Sequence, residues 1–122
     1  MKPIIFADDE YYFHTKLTQG FKDRLPEVPI EATWDGKELV EKVLAGDYGV
    51  IVTDFNMGNF GPNGIEAAQT IRNKGIKTPI FMYSTREMPL EVLSGNPLDR
   101  AFQKEYDFEK LLEQVVRLYH QK

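Results

Sequence analysis

What most restricts this chain is an alternation: short apolar runs of strand length are separated by longer segments whose apolar residues recur at helical spacing. Parallel strands need crossovers of a dozen or more residues, and helices in those crossovers cover the faces of the sheet. The alternation therefore predicts an α/β fold with a doubly wound, five-stranded parallel sheet and helices on both faces. The middle run, Gly49-Val50-Ile51-Val52-Thr53, is almost uniformly apolar, as suits a central strand buried on both faces.

The other strands are expected at Pro3 to Ala7, Ile30 to Trp34, Pro79 to Tyr83 and Arg100 to Gln103. After the first strand, Phe13, Leu17 and Phe21 fall four residues apart on one helical face. Asp35 or Gly36 opens the next helix, with Leu39, Val40, Val43 and Leu44 facing inward and Gly46 as its stop. A loop from Asn56 to Asn63 leads to a helix carrying Ile65, Ala68 and Ile71. Pro89, Gly95 and Pro97 leave room for only a short helix around Leu90 to Leu93. The last helix places Phe108, Leu111, Leu112, Val115 and Tyr119 on one face, with Asp107 as N-cap. No repeat, linker or low-complexity tract interrupts the pattern, so residues 1–122 are expected to form one domain.

Composition narrows the function classes. A net charge of −4 supplies no basic stripe for a nucleic-acid backbone, so direct nucleic-acid binding is not expected. With no cysteine there are no disulfides, zinc-thiolate sites or thiol catalysis, which fits a reducing, cytoplasmic setting. Asp8 and Asp9 interrupt the first apolar run long before a secretion signal is complete, and no membrane insertion is expected.

In open parallel sheets, ligands bind outside the carboxyl ends of the strands. Asp8 and Asp9 close strand one, Asp54 strand three, Ser84 strand four and Lys104 strand five, so five polar residues should meet on one rim. Acids gathered there repel one another by roughly 4 kcal/mol per pair at 4 Å. Magnesium, which takes one or two protein carboxylates with water and phosphate oxygens, relieves that repulsion. A carboxylate can attack phosphorus when charge on the transferring oxygens is neutralised; Asp54 is the expected nucleophile and Lys104 the neutralising cation.

Order and placement make the chain similar to the receiver domain of two-component response regulators, over essentially its whole length. The resemblance rests on Asp8-Asp9, on Val50-Ile51-Val52-Thr53-Asp54-Phe55-Asn56-Met57, on Ser84 and on Lys104. It implies a flavodoxin-like strand order, 2-1-3-4-5, and a stand-alone, single-domain signalling protein rather than an enzyme. It also implies that Asp54 accepts a phosphoryl group from a histidine kinase or phosphotransfer protein. Asp8, Asp9 and Asp54, with the main-chain carbonyl of Asn56, would ligate Mg2+. Ser84 and Lys104 would engage the phosphoryl group, and a downstream protein target would read the change.

The chain departs from that pattern in three places. The loop after Asp54 is about two residues longer before Gly64, Glu105 follows the lysine where proline is common, and Ala101 stands where an aromatic switch residue is usual. Phe102 comes one position late and should face the other way, with Tyr83 as a source of bulk from the neighbouring strand. The second expectation is thus a phosphorylation-independent interaction module, and the third a magnesium phosphohydrolase. His14 is expected at the surface or partly packed rather than as a ligand, and Trp34 and the Tyr11-Tyr12-Phe13 cluster are expected to pack rather than to bind.

Overall fold

The computed structural model describes residues 1–58, 61–85 and 97–121. Within them, β1 (Ile4–Ala7), α1 (Tyr11–Arg24), β2 (Ile30–Thr33), α2 (Gly36–Ala45), β3 (Val50–Thr53), α3 (Gly64–Asn73), β4 (Ile80–Ser84), β5 (Arg100–Gln103) and α4 (Phe108–His120) follow in chain order. All strand pairings are parallel, in the order β2-β1-β3-β4-β5, as the sequence led us to expect. The short helix expected at Leu90 to Leu93 lies outside the described residues.

Side chains alternate across a strand, so the sheet sorts its residues into two cores. Ile4, Phe6, Val50, Val52, Phe81, Tyr83 and Phe102 face one layer, where Leu17 and Phe21 of α1 meet Leu111, Leu112 and Val115 of α4. Ile5, Ala7, Ile51, Ile80 and Met82 face the other, against Leu39 and Val43 of α2 and Ala67, Ala68 and Ile71 of α3. Each large apolar side chain so buried stabilises the fold by about 1.5–3 kcal/mol before conformational entropy is charged against it.

Capping fixes where the helices begin. The Asp35 carboxylate accepts from the Glu38 amide at 2.8 Å. Asn63 and Glu66 form a reciprocal capping box at the start of α3, with bonds of 2.9 and 3.0 Å. Asp107 occupies the N-cap position of α4 but makes no cap bond; its carboxylate instead turns back to the Gln103 amide at 3.0 Å. Leu44 does not face inward, being 45% exposed on the outer side of α2. Tyr83 does not supply bulk beside Ala101: it pairs with Phe102 and shares the α1–α4 core, whereas Ala101 pairs with Met82 and packs on the α2–α3 side. The period of two separates them.

At the amino-terminal edge of the sheet, Arg72 ends α3 in a dense polar knot. Its guanidinium donates to the carbonyls of Pro97, Ile76 and Thr78 at 3.1, 3.0 and 2.8 Å, and to Asp99 Oδ2 at 2.8 Å. The same carboxylate oxygen accepts from the Ile80 amide at 2.7 Å, so one arginine and one aspartate tie the starts of β4 and β5 together. Among the described residues no helix is long and apolar enough to cross a membrane.

Candidate functional site

The opposite edge gathers the residues singled out from the sequence. Main-chain bonds continue the sheet past the strand ends and fix each of them. The Asp8 amide donates to Thr33 O at 3.2 Å, the Asp54 amide to Ala7 O at 2.9 Å, and the Lys104 amide to Ser84 O at 2.9 Å. Asp8, Asp54, Ser84 and Lys104 are all buried, while Asp9 and Asn56 are exposed at the mouth.

Side chains then close the cluster. Lys104 Nζ lies 2.8 Å from Asp8 Oδ2 and 3.0 Å from Asp54 Oδ2. The remaining oxygens are aimed by backbone donors, Asp8 Oδ1 by the Glu10 amide at 2.9 Å and Asp54 Oδ1 by the Phe55 amide at 2.7 Å. Asp8, Asp9 and Asp54 each present a carboxylate oxygen, and the three oxygens lie within 4.8 Å of one another.

Burial dominates the electrostatics. It lifts the Asp8 carboxyl to about 6, against the lowering effect of the Lys104 and Glu10 bonds, with the Asp54 charge adding to the rise. Burial also raises Asp54, more than Lys104 and the Phe55 amide lower it. On Lys104, burial acts to lower the ammonium, but its bonds and charge pairing with Asp8 and Asp54 outweigh this and hold it protonated. Three carboxylates against one ammonium leave two negative charges uncompensated. A divalent cation would supply the missing charge, and the carboxylate-only donor set suits magnesium, a hard cation that takes oxygen ligands.

Four residues contribute to the site in ways the sequence did not indicate. His14 is buried, and its Nε2 lies 2.6 Å from the Asp8 carbonyl, so it fixes the turn that carries the acids and is not placed as a ligand. Trp34 stacks on the His14 ring with centroids 3.6 Å apart. The Phe13 ring centroid lies 3.9 Å from Lys104 Nζ, although its helical spacing announced only a core position. Gly64 lets α3 approach the site: a Cβ there would stand 2.1 Å from the Asp54 carbonyl oxygen. Its place directly after the Asn63 cap was the one available sequence signal. Tyr11 and Tyr12 are largely exposed rather than buried, although Tyr12 keeps an edge contact with the Phe13 ring.

Comparison with known proteins agrees with this geometry. The family description "Response regulator receiver domain" matches residues 4–116. The response regulator TrrA from Thermotoga maritima, solved in complex with Mg2+ and BeF, is 27% identical with a TM-score of 0.82, over 97% of this chain and 99% of that one. TrrA in complex with the histidine kinase ThkA is 26% identical with a TM-score of 0.80, over 97% and 98% of the two chains. A receiver domain of a Francisella response regulator is 25% identical with a TM-score of 0.75, over 98% and 97%. A signature found in order along the strands, a sheet of the expected topology and a match spanning nearly the whole chain lead to one conclusion: the chain belongs to the response regulator receiver domain family.

Proposed function

We propose that residues 1–122 act as one cytoplasmic phosphoacceptor unit in which Asp54 receives a phosphoryl group from a histidine kinase or phosphotransfer protein. The observation that carries this reading is the setting of the Asp54 carboxylate. It closes the central strand, lies 3.0 Å from a buried ammonium and shares a 4.8 Å cluster with two further carboxylates. A carboxylate oxygen of Asp54 attacks phosphorus and forms the new O–P bond. The bond from phosphorus to the donor histidine nitrogen breaks, its electron pair stays on that nitrogen, and solvent returns a proton there.

Asp8, Asp9 and Asp54, with the Asn56 carbonyl, would hold Mg2+, which neutralises charge on the transferring oxygens when bound. Lys104 adds a fixed positive charge on the same side, and Ser84 supplies a hydroxyl on the same rim. The complexes of TrrA with Mg2+ and BeF and with a histidine kinase support the ion and the class of donor. A downstream protein would respond to the charge of about −1.5 to −2 that phosphorylation adds.

Incubation with acetyl phosphate and Mg2+ tests this. Wild type should gain one base-labile phosphoryl group, and Asp54→Asn should gain none. Equal labelling of the variant would remove Asp54 from the role. Ala101 supports a second reading, an interaction module indifferent to phosphate, because β5 carries no aromatic on the α2–α3 side. Partner affinity unchanged by beryllofluoride would favour it.

A further inference from the structure

We infer that Phe13 is a positioning residue for Lys104, its ring face holding the ammonium between Asp8 and Asp54. The inference rests on the phosphoacceptor reading for its consequence in rate, but on geometry alone for the contact. Lysine carries three N–H donors. Two are accounted for by Asp8 Oδ2 at 2.8 Å and Asp54 Oδ2 at 3.0 Å. With the side chain only 3% exposed, the third has little access to water. The Phe13 centroid, 3.9 Å from Nζ, provides the negative face of a ring quadrupole in its place.

The ring itself is held. Tyr12 meets it nearly at right angles at 5.0 Å between centroids, and Tyr83 does so at 5.8 Å. Tyr83 is buried, and its hydroxyl has no hydrogen-bond partner among the described residues, so its contribution here is its ring. Phe13 is thus braced between an exposed tyrosine of its own helix and a buried one on β4, and cannot easily turn its face away from the ammonium.

A π face suits this place better than a third oxygen. It attracts the ammonium without binding a divalent cation, and its weak directionality leaves one N–H free to swing onto a phosphoryl oxygen once Asp54 carries one. A carboxylate there would add a further negative charge to a cluster that already has two in excess.

The contact can be read directly by NMR. In wild type, ring current should move the Lys104 ε-methylene protons upfield of the other lysines, and Phe13→Leu should return them to the common position. Phe13→Leu should also slow acetyl phosphate labelling about ten-fold through kcat rather than KM. Phe13→Tyr and Phe13→Trp, which keep a π face, should restore both readouts. If Phe13→Leu is too unstable to fold, Phe13→Met removes the ring with less loss of volume. An ordinary Lys104 shift in wild type, or unaltered labelling by Phe13→Leu, would overturn the inference. If wild type takes no label yet its Lys104 shift still depends on Phe13, the phosphoacceptor reading falls and the positioning contact stands.

Discussion

At the amino-terminal edge of the sheet the Arg72 guanidinium meets one carboxylate and three carbonyls, whereas at the carboxyl-terminal edge the Lys104 ammonium is set among acids and an aromatic ring. Both cations are largely buried, with side chains 15% and 3% exposed. The first edge balances its charge and uses every partner to pin the starts of β4 and β5. The second leaves two negative charges in excess and holds the Asp8 and Asp54 carboxyls above their ordinary range. Similar chemistry therefore stabilises at one edge and stores unfavourable energy at the other. Such an imbalance persists in a fold when an arriving ion or group is to relieve it.

Arg72→Met should produce the largest loss of stability. It strands the Asp99 carboxylate and three carbonyls, at a cost of about 3 kcal/mol after allowance for partial exposure. Urea unfolding would measure this, and acetyl phosphate labelling of the folded fraction should not change. Lys104→Met should cost less, about 2 kcal/mol without divalent cation, and millimolar Mg2+ should recover part of it. No recovery would mean that the site does not lack positive charge. Asp54→Asn should stabilise the metal-free protein by about 1 kcal/mol, because lost repulsion exceeds the lost Lys104 bond. Destabilisation instead would erase the contrast between the two edges.

The remaining effect concerns pH. The folded state binds a proton on Asp8 more tightly than the unfolded chain, with a folded value of about 6 against an ordinary 3.8. Between those values the folded state carries more protons, so this group makes stability rise as pH falls through 6 and level off below 3.8. The metal-free melting temperature of wild type, minus that of Asp8→Asn, should therefore increase from pH 7 to pH 5. Arg72→Met should leave that difference intact.

Periodicity carried the strands and helices, because burial on one face or two imposes a spacing that a single sequence displays. The rim could be anticipated for a related reason: in a parallel sheet every strand ends on the same side, so Asp8, Asp54, Ser84 and Lys104 needed only correct strand limits. Phe13 over Lys104 could not be read this way, since its spacing with Leu17 and Phe21 is explained by the core alone. Leu44 fitted the inward stripe by spacing, yet the α2 stripe is narrow and buries Leu39 and Val43. Asp107 has the residue type of a cap, but the Gln103 amide competes for its carboxylate, and only the turn between β5 and α4 decides the outcome.

The backbone bonds that extend the sheet past Ala7, Thr53 and Gln103 bear on how the site comes into being. Asp54 and Lys104 are 50 residues apart in the chain, and each depends on a neighbouring strand for its position. No local segment brings Asp54 and Lys104 together, so labelling competence should emerge only in the last cooperative step of folding. Pulses of acetyl phosphate during refolding would then count native molecules, and the chemistry of the site would serve as a clock for the completion of the sheet.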